Sequence, residues 1–157
     1  MAKKKPEHEM TPRIANRRAL HDYAISHTIE CGISLFGSEV KSVRLGQAQL
    51  TDAFAMVEGR KLILYKAQIE PYAKAAGMTH EPKRPRALLV HRREMLRLAS
   101  ETAEKGTTLV PLAMYFKDGR IKVELGVAKG KQSHDKRDSI RKKEMDLEVR
   151  RAMSKRY

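Results

Sequence analysis

Side chains able to do covalent or proton-transfer chemistry are few in this chain, and their spacing does not suit it. His21 and Asp22 stand side by side, a pair that supplies two ligands in metal phosphohydrolases. Such a centre needs further His and Asp ligands at helical spacing, and His8, His27, His80, His91 and His134 are not so placed. A metal phosphodiesterase built on His21 and Asp22 therefore lacks the rest of its ligand set. The pair reads better as a hydrogen-bonded turn or an RNA contact at the opening of a strand. Cys31 falls among inward-facing positions and reads as a small core residue rather than a nucleophile. Neither a Gly-x-Gly-x-x-Gly pattern nor a P-loop is present to cradle a phosphate. The reading is of a protein without enzymatic activity, metal or cofactor.

Binding chemistry is far better supplied. The chain carries 33 Lys/Arg against 19 Asp/Glu, a net charge of +14. Lys129 to Tyr157 holds 11 basic residues against 5 acidic ones and almost no large apolar side chains, and the first twenty residues hold 6 against 2. The middle is near balance, at 16 against 12. Positive charge fixed at both ends of a near-neutral domain is suited to a polyanion, and nucleic acid is the first choice. Anionic lipid is the competing partner, but a basic tail for a membrane surface usually carries Trp, Phe or Leu anchors, and no segment approaches the ~20 apolar residues of a span. One cysteine excludes an internal disulfide, and no apolar run follows Met1–Lys5 as a signal peptide would require. A monomer of the reducing cytoplasm is expected, with a basic arm over 1–12, one domain over 13–128 and a tail over 129–157.

The elements that must position these charges are mostly strands. From Tyr23 to Leu35 the odd positions are largely apolar and the even ones polar or small, a period of two longer than an ordinary strand, with Gly32 where such a strand would bend or bulge. Glu30 then faces away from the core. Gly37–Gly46 predicts a short helix capped by Ser38, with Val40 and Val43 inward and Lys41 and Arg44 outward. Residues 50–57 and 61–68 predict a hairpin around Glu58-Gly59. Tyr72–Arg86 reads as a loop that gathers Lys83, Arg84 and Arg86. A helix is expected over about 92–104, with Met95, Leu98, Ala99 and Thr102 on one face. Asp118-Gly119 signals a type I′ turn, and pairing outward from it sets Phe116 opposite Ile121, Met114 opposite Val123, Leu112 opposite Leu125 and Val110 opposite Val127, one apolar face. The alternate pairs, Tyr115 with Lys122 and Ala113 with Glu124, look partly outward. About five strands and two or three short helices in this length fit a mainly β fold, a small oligonucleotide-binding-type barrel. Beyond Gly130 a thin stripe of Met145, Val149, Ala152 and Met153 is too sparse to hold an isolated helix, so the tail is expected to be disordered alone and helical once docked. With only eight aromatic residues, the chain suits recognition of a folded RNA by shape and phosphates better than broad base stacking.

Several segments taken together closely resemble the small protein B family. They are Asn16-Arg17-Arg18-Ala19 with His21-Asp22-Tyr23, Gly37-Ser38-Glu39-Val40-Lys41-Ser42, Arg84-Pro85-Arg86, Leu109-Val110-Pro111-Leu112 with Tyr115-Phe116-Lys117, and Gly126-Val127-Ala128-Lys129-Gly130-Lys131 followed by His134-Asp135-Lys136-Arg137. The resemblance runs in order from Asn16 to Met153. It implies a barrel of oligonucleotide-binding type and a non-catalytic adaptor that grips the tRNA-like domain of transfer-messenger RNA, also called SsrA RNA. The tail would enter the decoding centre and message channel of the small ribosomal subunit. By position, Asn16, His21, Glu30 and Leu89 match family residues tied to RNA binding, and the resemblance turns Glu30, undecided from its pattern alone, toward function. Lys41, Arg44, Arg84 and Arg86 are added as phosphate-seeking candidates. Gly130, Lys131, His134, Asp135, Lys136 and Arg137, with Arg141 and Lys142 beyond them, form the expected ribosome-binding tail. Ala87, Glu81 and Gln132 depart from the family pattern, and the first and last of these remove basic charge. A ribosomal or assembly protein holding ribosomal RNA permanently is the other reading of the same barrel and charge.

Overall fold

A computed structural model describes residues 11–74, 80–131 and 133–154, the side chains of 133–136 excepted. Residues 1–10 of the expected arm, Gly77 and Gln132 lie outside the described residues. The chain is mainly β. Strands β1 (Ile14–Ala15), β2 (Tyr23–Ile33), β3 (Ala48–Gln49), β4 (Phe54–Glu58), β5 (Lys61–Tyr65), β6 (Gln68–Ile69), β7 (Arg86–Leu89), β8 (Thr107–Lys117) and β9 (Arg120–Gly130) alternate with helices α1 (Arg17–Asp22), α2 (Gly37–Arg44), α3 (Arg92–Thr102) and α4 (Ser133–Ser154). Seven strands form one sheet in the order β1-β8-β4-β5-β7-β2-β9, all neighbours antiparallel, and β9 also pairs with β8; β3 and β6 form a separate pair.

The long hairpin β8–β9 turns where expected, with Asp118 at φ 52° and Gly119 at φ 74°, the two left-handed residues a type I′ turn requires. Phe116 opposes Ile121, Met114 opposes Val123, and Tyr115 opposes Lys122. Beyond that the expected register fails by one residue: Pro111, not Leu112, faces Leu125, and Val110 faces Gly126. Pro111 has no N–H to give the ladder, and Leu112 is left over as a bulge. A side-chain period of two makes that extra residue reverse the faces. Leu109, Met114, Val123 and Leu125 enter the main core with Cys31, Leu62 and Leu64, whereas Val110 joins Ala19 and Ala128 in a small second cluster.

Period two holds along β2, with Cys31 fully buried and Glu30 exposed, but the bulge lies at Ser26 rather than Gly32. Gly32 instead pairs on one side with Lys122 and on the other with Leu89, where a Cβ would sit 3.2 Å from that of Leu89. Missing side-chain bulk there lets β2 pass from β9 to β7.

Three local expectations are corrected. His21 and Asp22 close helix α1 rather than open a strand, because the Asn16 Oδ1 accepts the Ala19 N–H at 3.2 Å and caps the helix start. Ser38 does not cap α2: its Oγ lies 2.9 Å from His80 Nδ1, and the Glu39 carboxylate reaches back to the Phe36 N–H at 3.2 Å. The hairpin over 50–68 is shorter, since Asp52 and Lys66 both take left-handed backbone at its ends and the turn is Gly59-Arg60. The helix expected over 92–104 is α3, which buries Leu98 and leaves its arginines outward.

Candidate nucleic-acid interface

Glu30 and Leu89, 59 residues apart in sequence, line one open cleft of about 680 Å³. Two pairings place them there: Glu30 faces Glu124 across β2–β9, and the neighbouring Gly32 faces Leu89 across β2–β7. Leu89 is 60 % exposed, unusual for a leucine in a sheet whose inner face is otherwise filled. Arg120 and Lys122, from the arm of the hairpin just past its turn, line the same cleft. On the outer face of the hairpin, the Tyr115 O–H donates to Glu30 Oε2 at 2.5 Å, and Lys117 Nζ lies 3.2 and 3.4 Å from its two oxygens. Arg13 stacks 4.9 Å above the Tyr115 ring and pairs with Glu124 at 2.9 Å. The Tyr115 and Lys117 hydrogen bonds hold the Glu30 carboxyl below its ordinary range. It is therefore an ionised, acceptor-only group among four cations. Sequence reasoning did not select Tyr115, Lys117, Arg120 or Lys122, although the outward pairing of Tyr115 with Lys122 was the signal that could have found them.

His21 lies at the other end of β2. Seven strand residues at about 3.3 Å each separate Tyr23 from Glu30, so the expected RNA-binding set divides into two regions on the order of 20 Å apart. His21 is exposed at the end of α1, its Nδ1 3.1 Å from Asp22 Oδ1. The root of the tail is fastened to that helix end: Tyr23 pairs with Gly130, the Lys131 N–H donates to the Asp22 carbonyl at 2.9 Å, and Lys131 Nζ donates to the Leu20 carbonyl at 3.2 Å. Residues assigned to two different partners thus meet at one place. From there the tail continues as the 22-residue helix α4. Arg137, Arg141 and Lys142 are exposed on it, and so are Ile140, Met145, Leu147, Val149 and Met153. The side chains of His134, Asp135 and Lys136 lie outside the described residues.

Three other expected contacts turn inward. Arg86 has no exposed surface; it ion-pairs with Glu39, also fully buried, and donates to the carbonyls of Ala67 and Pro82. Arg84 binds the same carboxylate and covers the Phe36 ring at 4.0 Å. The loop expected to offer both arginines to phosphates instead ends at Pro85, and β7 carries Arg86 into the interior. Asn16 is 5 % exposed, and its amide is committed: Nδ2 donates to the Leu50 and Pro111 carbonyls, Oδ1 caps α1, and its backbone N–H meets the bulge carbonyl of Leu112 at 2.7 Å. Lys41 and Arg44 do face outward on α2, over the rings of Tyr72 and Phe116 at 5.4 and 5.8 Å.

A mainly β domain with Lys117, Arg120 and Lys122 around Glu30, Lys41 and Arg44 outward on α2, and a basic helix leaving the far end of β2 has the make-up of a polyanion-binding module. Among the described residues no helix is long and apolar enough to cross a membrane, and no three His, Cys, Asp or Glu side chains gather as a metal site. The sequence profile of the SmpB protein family matches residues 13–155, and the chain belongs to that family. A protein of Carboxydothermus hydrogenoformans named SsrA-binding protein is 51% identical over 142 residues, covering 90% of this chain and 95% of that one. Another SsrA-binding protein, from Caldicellulosiruptor bescii, is 48% identical over 153 residues, 98% of this chain and 97% of that one. Among solved structures, a chain from work described as "tmRNA-SmpB: a journey to the center of the bacterial ribosome" superposes with a TM-score of 0.67 at 44% identity, over 83% of this chain and 95% of that one.

Proposed function

We propose that this chain is a non-catalytic adaptor of the bacterial cytoplasm that binds transfer-messenger RNA and brings it to stalled ribosomes in trans-translation. Its β domain serves the tRNA-like domain of that RNA and its C-terminal segment serves the decoding centre and message channel of the small subunit. The observation that carries the reading is the likeness, along nearly the whole chain, to proteins named for binding SsrA RNA. The ring of pairings from β8 through β4, β5, β7, β2 and β9 back to β8 supports a barrel of oligonucleotide-binding type. Glu30 and Leu89, with Arg120 and Lys122 beside them, supply one RNA station; His21 at the end of α1 supplies another; Lys41 and Arg44 seek phosphates between elements. Arg84, Arg86 and Asn16 support these stations from below. Helix α4 buries no apolar face against the β domain, so its order is maintained by docking, and part of the binding energy goes into forming it.

The test is a pair of variants. Removing residues after Gly130 should leave affinity for transfer-messenger RNA within about twofold and abolish tagging of stalled chains. Glu30→Ala should weaken RNA binding by about tenfold or more with the tail sequence unaltered. A large affinity loss from the truncation would contradict the division of labour. Stable retention on salt-washed vacant small subunits would favour a constitutive ribosomal protein instead.

A further inference from the structure

A carboxylate is out of place on a surface meant for phosphates unless it reads something phosphates lack. Glu30 is ionised and accepts only. It is also fixed, with Tyr115 on Oε2 and Lys117 reaching both oxygens, while its remaining lone pairs open on the cleft. Phosphates offer it no donor, and a ribose offers one hydroxyl. Among bases, the adenine and cytosine amino groups each sit beside a ring-nitrogen acceptor, which would oppose the second carboxylate oxygen. The uracil imino group lies between two carbonyls. Guanine alone presents two adjacent donors, N1–H and the 2-amino group, spaced for the two oxygens of one carboxylate.

We infer that the cleft takes one unstacked guanine of the bound RNA, its Watson–Crick edge on Glu30, with Tyr115 and Lys117 as positioning residues that hold the carboxylate for it. The inference rests on the RNA-binding reading above and names what that site selects. Leu89, brought against β2 by the absent side chain of Gly32, offers the apolar platform for the base face. Arg120 and Lys122 stand where the flanking phosphates would pass. The cleft, at about 680 Å³, lies within the size range of small-ligand sites.

The experiment measures binding of the full chain to the tRNA-like domain of transfer-messenger RNA with each unpaired guanosine replaced singly by inosine, which lacks the 2-amino group, or by 7-deazaguanosine, which keeps the Watson–Crick edge. At one position inosine should cost the unaltered protein about tenfold and 7-deazaguanosine almost nothing. In Glu30→Gln, which keeps the side-chain shape but turns one acceptor into a donor, the same inosine should cost less than about twofold. Inosine penalties unchanged by Glu30→Gln at every position, or an equal loss with 7-deazaguanosine, would overturn the guanine pocket while leaving RNA binding in place. If the unaltered protein shows no preference for the tRNA-like domain over an unrelated hairpin, the functional reading fails, and this pocket with it.

Discussion

At the residue scale, charge in this protein divides into groups that meet solvent and groups that meet each other. Glu39 and Arg86 are both fully enclosed and ion-paired to each other, with Arg84 as a second partner of the carboxylate. Burial pushes the Glu39 carboxyl up, but hydrogen bonds from Arg86 and Arg84 more than reverse this and leave it below its ordinary 4.5. A carboxyl held lower in the folded chain than in the unfolded one contributes stability that is complete above the ordinary value and disappears as the pH falls through the folded one. Urea midpoints of the unaltered protein should therefore fall as the medium is acidified below 4.5, and Glu39→Gln should lose that part of the slope. Arg86→Ala leaves the Glu39 carboxylate to Arg84 alone and takes the donor from the Ala67 and Pro82 carbonyls, and should cost about 3–5 kcal/mol in urea denaturation. Asn16→Ala removes a helix cap and two donors to buried carbonyls, an expected loss of about 2–3 kcal/mol. Any loss of RNA affinity in Asn16→Ala should accompany that destabilisation, whereas Glu30→Ala should lose affinity with its urea midpoint nearly unchanged.

At the element scale, the bulge at Leu112 decides what the hairpin buries. Asn16 donates to the Pro111 and Leu112 carbonyls at the bulge, from Nδ2 and its backbone N–H, and through them the start of α1 is tied to the middle of β8. Gly126 sits beneath this bulge, where a Cβ would lie 3.1 Å from Leu112 Cδ1 and 3.3 Å from Ile25 Cγ2. Gly126→Ala should accordingly overpack the second cluster and cost about 1–3 kcal/mol, measured by thermal or urea unfolding. A stabilised variant would mean that the bulge yields freely. Helix α4 is the opposite case: its Met145, Val149 and Met153 cover no core, so substituting polar residues there should leave the unfolding midpoint unchanged.

At the scale of the whole molecule, the chain carries a net charge of +14, part of it around the Glu30 cleft and part on a helix rooted at the other end of β2. Each Lys or Arg that meets a phosphate releases counterions, so log affinity against log salt should be steep, with a slope on the order of −6 for six or more contacts. Glu30→Ala should lower affinity with little change in that slope, because a carboxylate neutralises no phosphate and releases no counterions. Loss of residues 131–157, which hold about a third of the basic side chains, should leave the slope on the isolated RNA nearly as it was if those cations serve the ribosome. A slope halved by that truncation would place the tail on the RNA.

The sequence by itself determined the mainly β character, the I′ turn at Asp118-Gly119, the alternation along β2 and the concentration of charge in the tail, because each depends on spacing or count within a short stretch. Its ordered motifs also carried the family resemblance. Tertiary structure alone decided that Arg86 and Asn16 are interior supports and that Leu112 shifts the register of the hairpin. It also decided that Glu30, Leu89, Tyr115 and Lys122 share one face. Those outcomes depend on which strand lies beside which. A buried arginine and an RNA-binding arginine look alike in sequence, and only the position of Glu39 across the fold separates them.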